Sequence, residues 1–187
     1  MEVRTKKQPP LTYRDYLHTS DDKRFELIGG DLYMIPSPSF KHQKVVNRIN
    51  FLLYQYVQKH NLGEVIISPM DVKLSEYDVL QPDIFFLSKE RMKQAGKQVI
   101  EGAPDLVIEV LSESTEERDR TVKKSIYYRE GVRELWLVDP EAEQLEVHTR
   151  GETGFEKNFT ILDDENLKSE LLDDFSPPVS KFFSEGD

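Results

Sequence analysis

The sequence predicts a mixed α/β (α+β) fold, a central mixed β-sheet flanked by α-helices. Three observations point to it. Two runs, "DIFFL" at Asp83 to Leu87 and "DLVIEVL" at Asp105 to Leu111, lack polar alternation and so read as strands covered on both faces. Two helical patterns, from Phe40 to Asn61 and from Ser114 to Gly131, are long enough to provide that cover. The core order of helix, three strands, helix and strand puts helices against a mixed sheet.

Each element has its own local reason. "LTYRDYL" at Leu11 to Leu17 predicts a short helix capped by Thr12, with Asp15 completing a capping box. "RFELIGGDLYMI" predicts a hairpin, Phe25 to Ile28 and Leu32 to Ile35, turning through Gly29, Gly30 and Asp31, and "PSPS" ends it. In the long helix Val45, Val46, Ile49, Leu52, Leu53 and Tyr56 recur at helical spacing, with Gly63 as the expected C-terminal cap. "EVIIS" at Glu64 to Ser68 and "DVKL" at Asp71 to Leu74 read as strands, followed by the two apolar ones. "KERMKQAGK" between them reads as a solvated basic loop or helix.

The second helix takes Ser114 or Thr115 as its cap, acids in its first turn and Gly131 past its end. "ELWLVDP" is then a strand ended by Pro140, with Trp136 in the core. "QLEVHTR", "FEKNFTIL" and "LKSELL" predict an antiparallel extension, and "DDFSPPVSKFFSEGD" a weakly patterned tail. At 187 residues the chain is expected to form one domain, 1–187, with a core over about 11–147 and a C-terminal extension over 148–187.

Composition narrows the function. With no cysteine, a disulfide framework and a thiolate metal site are excluded, and a cytoplasmic setting is the default expectation. "MEVRTKKQPP" has no apolar leader core, and no run approaches the roughly 18 apolar residues of a membrane span. A formal net charge of −10 gives no support to a broad basic surface, leaving room only for a local basic lining, and it suits a cation-binding carboxylate cluster.

Two acids sit where hydrophobic patterning does not place them: Asp83, directly after Pro82, and Glu109, inside "DLVIEVL". If adjacent strands bring them together, a divalent cation lets both stay ionised, and hard oxygen ligands favour Mg²⁺ or Mn²⁺. The bland alternative makes Asp83 a turn cap and Glu109 half of a buried ion pair. On the second helix Asp119, Lys123 and Tyr127 step by four residues along one face, so Lys123 can reach the carboxylates; the alternative is a surface Asp119–Lys123 pair. Glu26, by strand alternation, faces solvent or supports the site. His42 is a surface or capping residue, or a donor to phosphate near the groove.

Taken together, "RFELIGGDL", "PSPSFKHQKV", "PDIFFL", "APDLVIEVLSEST" and "DRTVKKSIYYREGVRELWLVDP" resemble the Uma-two family of restriction endonucleases, within the PD-(D/E)xK nuclease superfamily, over about Leu11 to Val147. The resemblance implies a restriction-endonuclease-like fold in which Asp83 and Glu109 bind Mg²⁺ beside the scissile phosphate. The superfamily pattern has lysine two residues after the second acid, where this chain has Leu111. The resemblance implies a migrated lysine, since the family's Asp, Lys and Tyr steps match Asp119, Lys123 and Tyr127, and its hairpin acid matches Glu26.

The function expected is a Mg²⁺-dependent DNA endonuclease hydrolysing phosphodiester bonds by metal-activated water. Its catalytic residues would be Asp83, Glu109, Lys123 and Glu26, supported by Asp119, Tyr127 and His42. From another class comes a catalytically silent nucleic-acid or protein-binding module retaining the fold, and a third option is a hydrolase of a different phosphoester. No cofactor beyond the divalent metal is suggested, and a homodimer is the expected assembly.

Overall fold

The glycine pair at 29 and 30 sets the first turn. In the computed structural model, which describes residues 9–20, 23–162 and 165–184, both have positive φ (59° and 84°), as a two-residue hairpin turn of this hand requires. They join β1 (Phe25–Ile28) to β2 (Asp31–Met34) in antiparallel register, Glu26 opposite Tyr33. Helix α1 (Tyr13–Tyr16) precedes them, and both the amide and the hydroxyl of Thr12 donate to Asp15 Oδ2, each at 2.8 Å.

Helix α2 (Phe40–His60) follows, capped by Ser39, whose hydroxyl accepts from the His42 amide. Its C-terminal cap is Asn61, left-handed at φ 53°, and not Gly63 as the sequence predicts. Gly63 instead opens β3 (Gly63–Ile67), where a Cβ would collide with the Leu87 carbonyl. Next come β4 (Asp71–Lys73), β5 (Val79–Leu80), β6 (Ile84–Ser88), a 3₁₀ turn over Arg91–Gln94, β7 (Val99–Glu101) and β8 (Leu106–Val110).

A continuous helical stretch then runs from α3 (Glu116–Arg118) through a π-turn (Asp119–Lys123) into α4 (Lys124–Glu130), ended by Gly131 at φ 98°. Thr115 holds the N-cap position without a side-chain capping bond. Strands β9 (Glu134–Asp139), β10 (Gln144–Arg150) and β11 (Phe155–Leu162) and helix α5 (Ser180–Phe183) complete the chain.

The strands form two mixed sheets, where the sequence predicts one. The larger has the order β11-β10-β9-β8-β6-β3, with β8 and β9 parallel across the α3–α4 crossover; the smaller has the order β2-β1-β5-β4-β7. On β6 and β8 alternate residues enter different cores, which is why neither strand alternates with polar residues. Ile84, Phe86, Leu106, Ile108 and Val110 meet Val45, Val46, Ile49 and Leu53 of α2. Phe85, Leu87 and Val107 meet Ile126 and Tyr127 of α4 together with Ile28, Val72 and Leu80 of the smaller sheet.

Two expectations are corrected. "LKSELL" is not a strand: Leu167 and Leu172 anchor a loop on the larger core, and the Glu170 and Leu171 amides donate to buried Glu134. "KERMKQAGK" is not simply solvated, because Arg91 donates to the carbonyls of Ala103, Pro104 and Gly131 and pins three segments together. The tail is ordered over its described part, burying Phe175, Val179 and Phe182.

Candidate active site

Sheet register brings the two strand acids together. The β6–β8 pairing includes Ile84 opposite Ile108, so one step further Asp83 stands opposite Glu109, on the face of the sheet that carries Phe85 and Val107. Asp83 Oδ2 accepts the Val110 amide at 2.9 Å and lies 3.3 Å from His42 Nε2. Asp83 precedes β6 instead of opening it.

The helical crossover lays Asp119, Lys123 and Tyr127 over the same spot. Lys123 Nζ is 3.0 Å from Glu26 Oε1, 3.2 Å from Glu109 Oε1 and 3.2 Å from Asp119 Oδ1. The Tyr127 hydroxyl donates to Glu109 Oε1 at 2.5 Å, so both contacts to Glu109 fall on one oxygen. Glu26 Oε1 also accepts the Gln81 amide, which ties the smaller sheet to the site. Asp119 Oδ1 is buried and accepts no hydrogen bond among the described residues, in spite of its closeness to the ammonium.

Burial decides between the alternatives left open by the sequence. Lys123 is 5% exposed and Asp119 2%, so they are not a surface pair; Glu26, at 3%, does not face solvent. Glu109 does share a buried ion pair with Lys123, but among four acids and not one. His42 is a buried neighbour of Asp83 and not a surface residue, with its Nδ1 left without a partner among the described residues.

The electrostatics follow from this crowding. Burial pushes the Glu109 carboxyl up; Lys123 opposes it, Asp119, Asp83 and Glu26 add to it, and the net position is well above the ordinary carboxylate range. Burial pulls Lys123 down, but Glu109, Glu26 and Asp119 outweigh it and hold the ammonium charged. Burial and then Glu109 hold the Tyr127 phenol protonated. Burial works against protonation of His42, yet Asp83 wins and raises it.

All of these groups but the fully buried Tyr127 line one cleft of about 740 Å³, floored by Glu26, Asp83, Glu109, Asp119 and Lys123 and walled by the Pro36–Ser39 segment and the Ser112–Thr115 loop. Among the described residues no group of three or more His, Asp or Glu side chains encloses a finished metal cage. Asp83 and Glu109 nonetheless supply two hard oxygen donors on one sheet face, and Asp119 Oδ1, ion-paired with Lys123 but without a hydrogen bond among the described residues, adds a third acid nearby. That donor set suits an ion that retains several of its own waters, as Mg²⁺ does. No helix among the described residues is long and apolar enough to cross a membrane.

Comparison with known proteins agrees with this architecture. The chain superposes on the crystal structure of "a putative nuclease belonging to DUF820" from Anabaena variabilis ATCC 29413 with a TM-score of 0.78, covering 93% of this chain and 98% of that one. At 18% identity the likeness speaks for the fold, which is restriction-endonuclease-like. No curated protein matches the sequence. Residues 12–180 match the family described as "Uma2: Putative restriction endonuclease", most of the chain's length. The chain belongs to the Uma2 family.

Proposed function

We propose that this protein is a divalent-metal-dependent DNA endonuclease that hydrolyses phosphodiester bonds, with Asp83 and Glu109 as metal ligands and Lys123 and Glu26 completing the catalytic group. One observation carries the reading: four carboxylates, Glu26, Asp83, Glu109 and Asp119, meet at the floor of one cleft with a single lysine ammonium. Burial first, and then the neighbouring acids, raise Glu109, and the acids' mutual repulsion is what a divalent cation would relieve. Family membership and the structural neighbour both support a nuclease.

When bound, Mg²⁺ or Mn²⁺ supplies Lewis acidity, lowering the pKa of water and neutralising charge on the phosphoryl oxygens. The protein's own groups hold the geometry. His42 and the Val110 amide fix Asp83, Tyr127 and Lys123 fix one oxygen of Glu109, and Glu26 and Asp119 keep the ammonium in place. Lys123, held protonated, faces negative charge developing in the cleft. The reading takes a cytoplasmic setting, one domain, and a homodimer, since cutting both strands asks for two sites.

The test is plasmid nicking by the pure protein with Mg²⁺ or Mn²⁺, with and without chelator, beside Asp83→Ala and Glu109→Gln. Metal-dependent nicking lost in both variants is expected; equal nicking by Asp83→Ala sinks the assignment. Comparing duplex DNA, single-stranded DNA and RNA separates DNA cutting from hydrolysis of another phosphoester. A second reading, a silent binding module, is favoured by the commitment of Lys123 to three carboxylates. Binding without turnover, indifferent to chelator and to Glu109→Gln, would identify it.

A further inference from the structure

A phosphodiester entering this cleft meets four carboxylates at its floor and Glu113 and Glu141 in its walls, so its approach requires cations that are not already committed. The basic residues lining the cleft are Arg24, His42, Arg118 and Lys123. Lys123 is held by three acids and His42 by Asp83. That leaves the two arginines.

Both are half-buried, and among the described residues neither guanidinium has a carboxylate or hydrogen-bond partner; the one contact of Arg118 is a stack 4.2 Å over the Tyr33 ring. Four other arginines of the fold behave differently. Arg91, Arg120, Arg129 and Arg133 are each in ion pairs with acids. A guanidinium left half-buried and unpaired in a chain of net charge −10 is poorly placed for stability alone.

Strand register puts them on one wall. Arg24 and Glu26 alternate onto the same face of β1, Tyr33 stands opposite Glu26, and the Ile35 amide donates to the Arg24 carbonyl, extending the ladder. Arg24 is thus the diagonal neighbour of Tyr33, about 7–8 Å away along the sheet. Arg118 reaches the same platform from the other side, off the end of α3.

We propose that Arg24 and Arg118, the latter held flat on Tyr33, form a phosphate clamp that seats the nucleic-acid backbone over the carboxylate cluster. The inference rests on the nuclease reading for its choice of ligand, but not on turnover. A guanidinium fork matches phosphate oxygens in two-point fashion, and the Tyr33 stack orients one fork in advance.

The experiment measures binding apart from cutting. Fluorescence anisotropy of the full chain with a labelled DNA duplex, in chelator and across a salt series, is compared for wild type, Arg24→Gln, Arg118→Gln and Arg118→Lys. Thermal melts check that each variant is folded. Each Gln variant should weaken binding about tenfold at moderate salt and reduce the slope of log K against log salt by about 0.9, one phosphate contact. Arg118→Lys should keep the slope while losing part of the affinity. Single-stranded DNA and RNA probes are run in parallel to identify which backbone is held.

Wild-type affinity and slope in both Gln variants would overturn the clamp, and would leave the nuclease reading standing if plasmid is still nicked. No binding of any nucleic acid by wild type overturns it too. Binding lost in the arginine variants of a protein that never cuts would uphold the clamp and reject the nuclease.

Discussion

Lys123 Nζ lies 3.2 Å from Glu109 Oε1, beneath a helix and against a sheet, with both side chains almost out of solvent. Such a pair stabilises little relative to an apolar pair, but removing one partner strands the other. Lys123→Met should therefore cost about 3–5 kcal/mol by urea denaturation. Adding Glu109→Gln to it should recover part of the loss. An additive double-mutant cycle would show that the two do not interact energetically.

A cation at the carboxylates should bind the folded chain and not the unfolded one. Mg²⁺ or Mn²⁺ at about 100 times its Kd should stabilise wild type by about 2.7 kcal/mol. Calorimetric melts with and without metal would show a rise in Tm that is absent in Asp83→Asn and in Glu109→Gln. An equal rise in the variants would remove both residues from the site.

A second buried polar group sets the acid limb of stability. His148, on β10, is pushed down to about 4 by burial first and then by Lys124, although Glu146 pulls the other way. Its folded pKa lies below the unfolded value near 6.5, so between the two the unfolded chain binds more protons and stability falls as pH falls. The expected loss from pH 6.5 to pH 4 is about 3 kcal/mol. Denaturant midpoints across that window should flatten in His148→Gln; an unchanged acid limb would locate the effect elsewhere.

Glu134 holds the C-terminal loop. Its carboxylate accepts Trp136 Nε1, the Ser169 hydroxyl and the Glu170 and Leu171 amides. Glu134→Leu would leave the buried Trp136 Nε1 donor unmet, at about 1–3 kcal/mol, and would release the loop's Ser169 and Glu170 from their shared acceptor. Limited proteolysis should then cut first within the 165–184 segment. Cutting at wild-type rate would mean that Leu167, Phe175 and Phe182 hold the segment without it.

Burial was legible in the sequence wherever it was two-sided. "DIFFL" and "DLVIEVL" carry no polar alternation because each strand feeds two cores, and an acid breaking such a run stands out, as Glu109 does. The four-residue steps of Asp119, Lys123 and Tyr127 marked one helix face. The second sheet was not legible: β5 and β7 are two and three residues long, too short for any period to register. Nor were the positions of Arg24 and Arg118, while for Glu26 and His42 alternation and spacing left a solvent-facing or surface alternative open. Whether a charged side chain has a partner depends on elements distant in the chain, and one strand's alternation does not reveal which sheet lies across from it.

The π-turn at Asp119–Lys123 also has a geometric consequence. A wide turn of this kind holds one residue more than an ordinary helical turn while the flanking turns stay helical. Removing a single residue, Val122, whose side chain is about half exposed, would restore the tighter winding. The turns on either side would keep their phase, and Lys123 and Tyr127 would keep their four-residue step, while Asp119 and Lys123 would stand three residues apart on the shortened helix. The reach of Lys123 toward Asp119 is thus set by the winding of the chain as much as by residue identity.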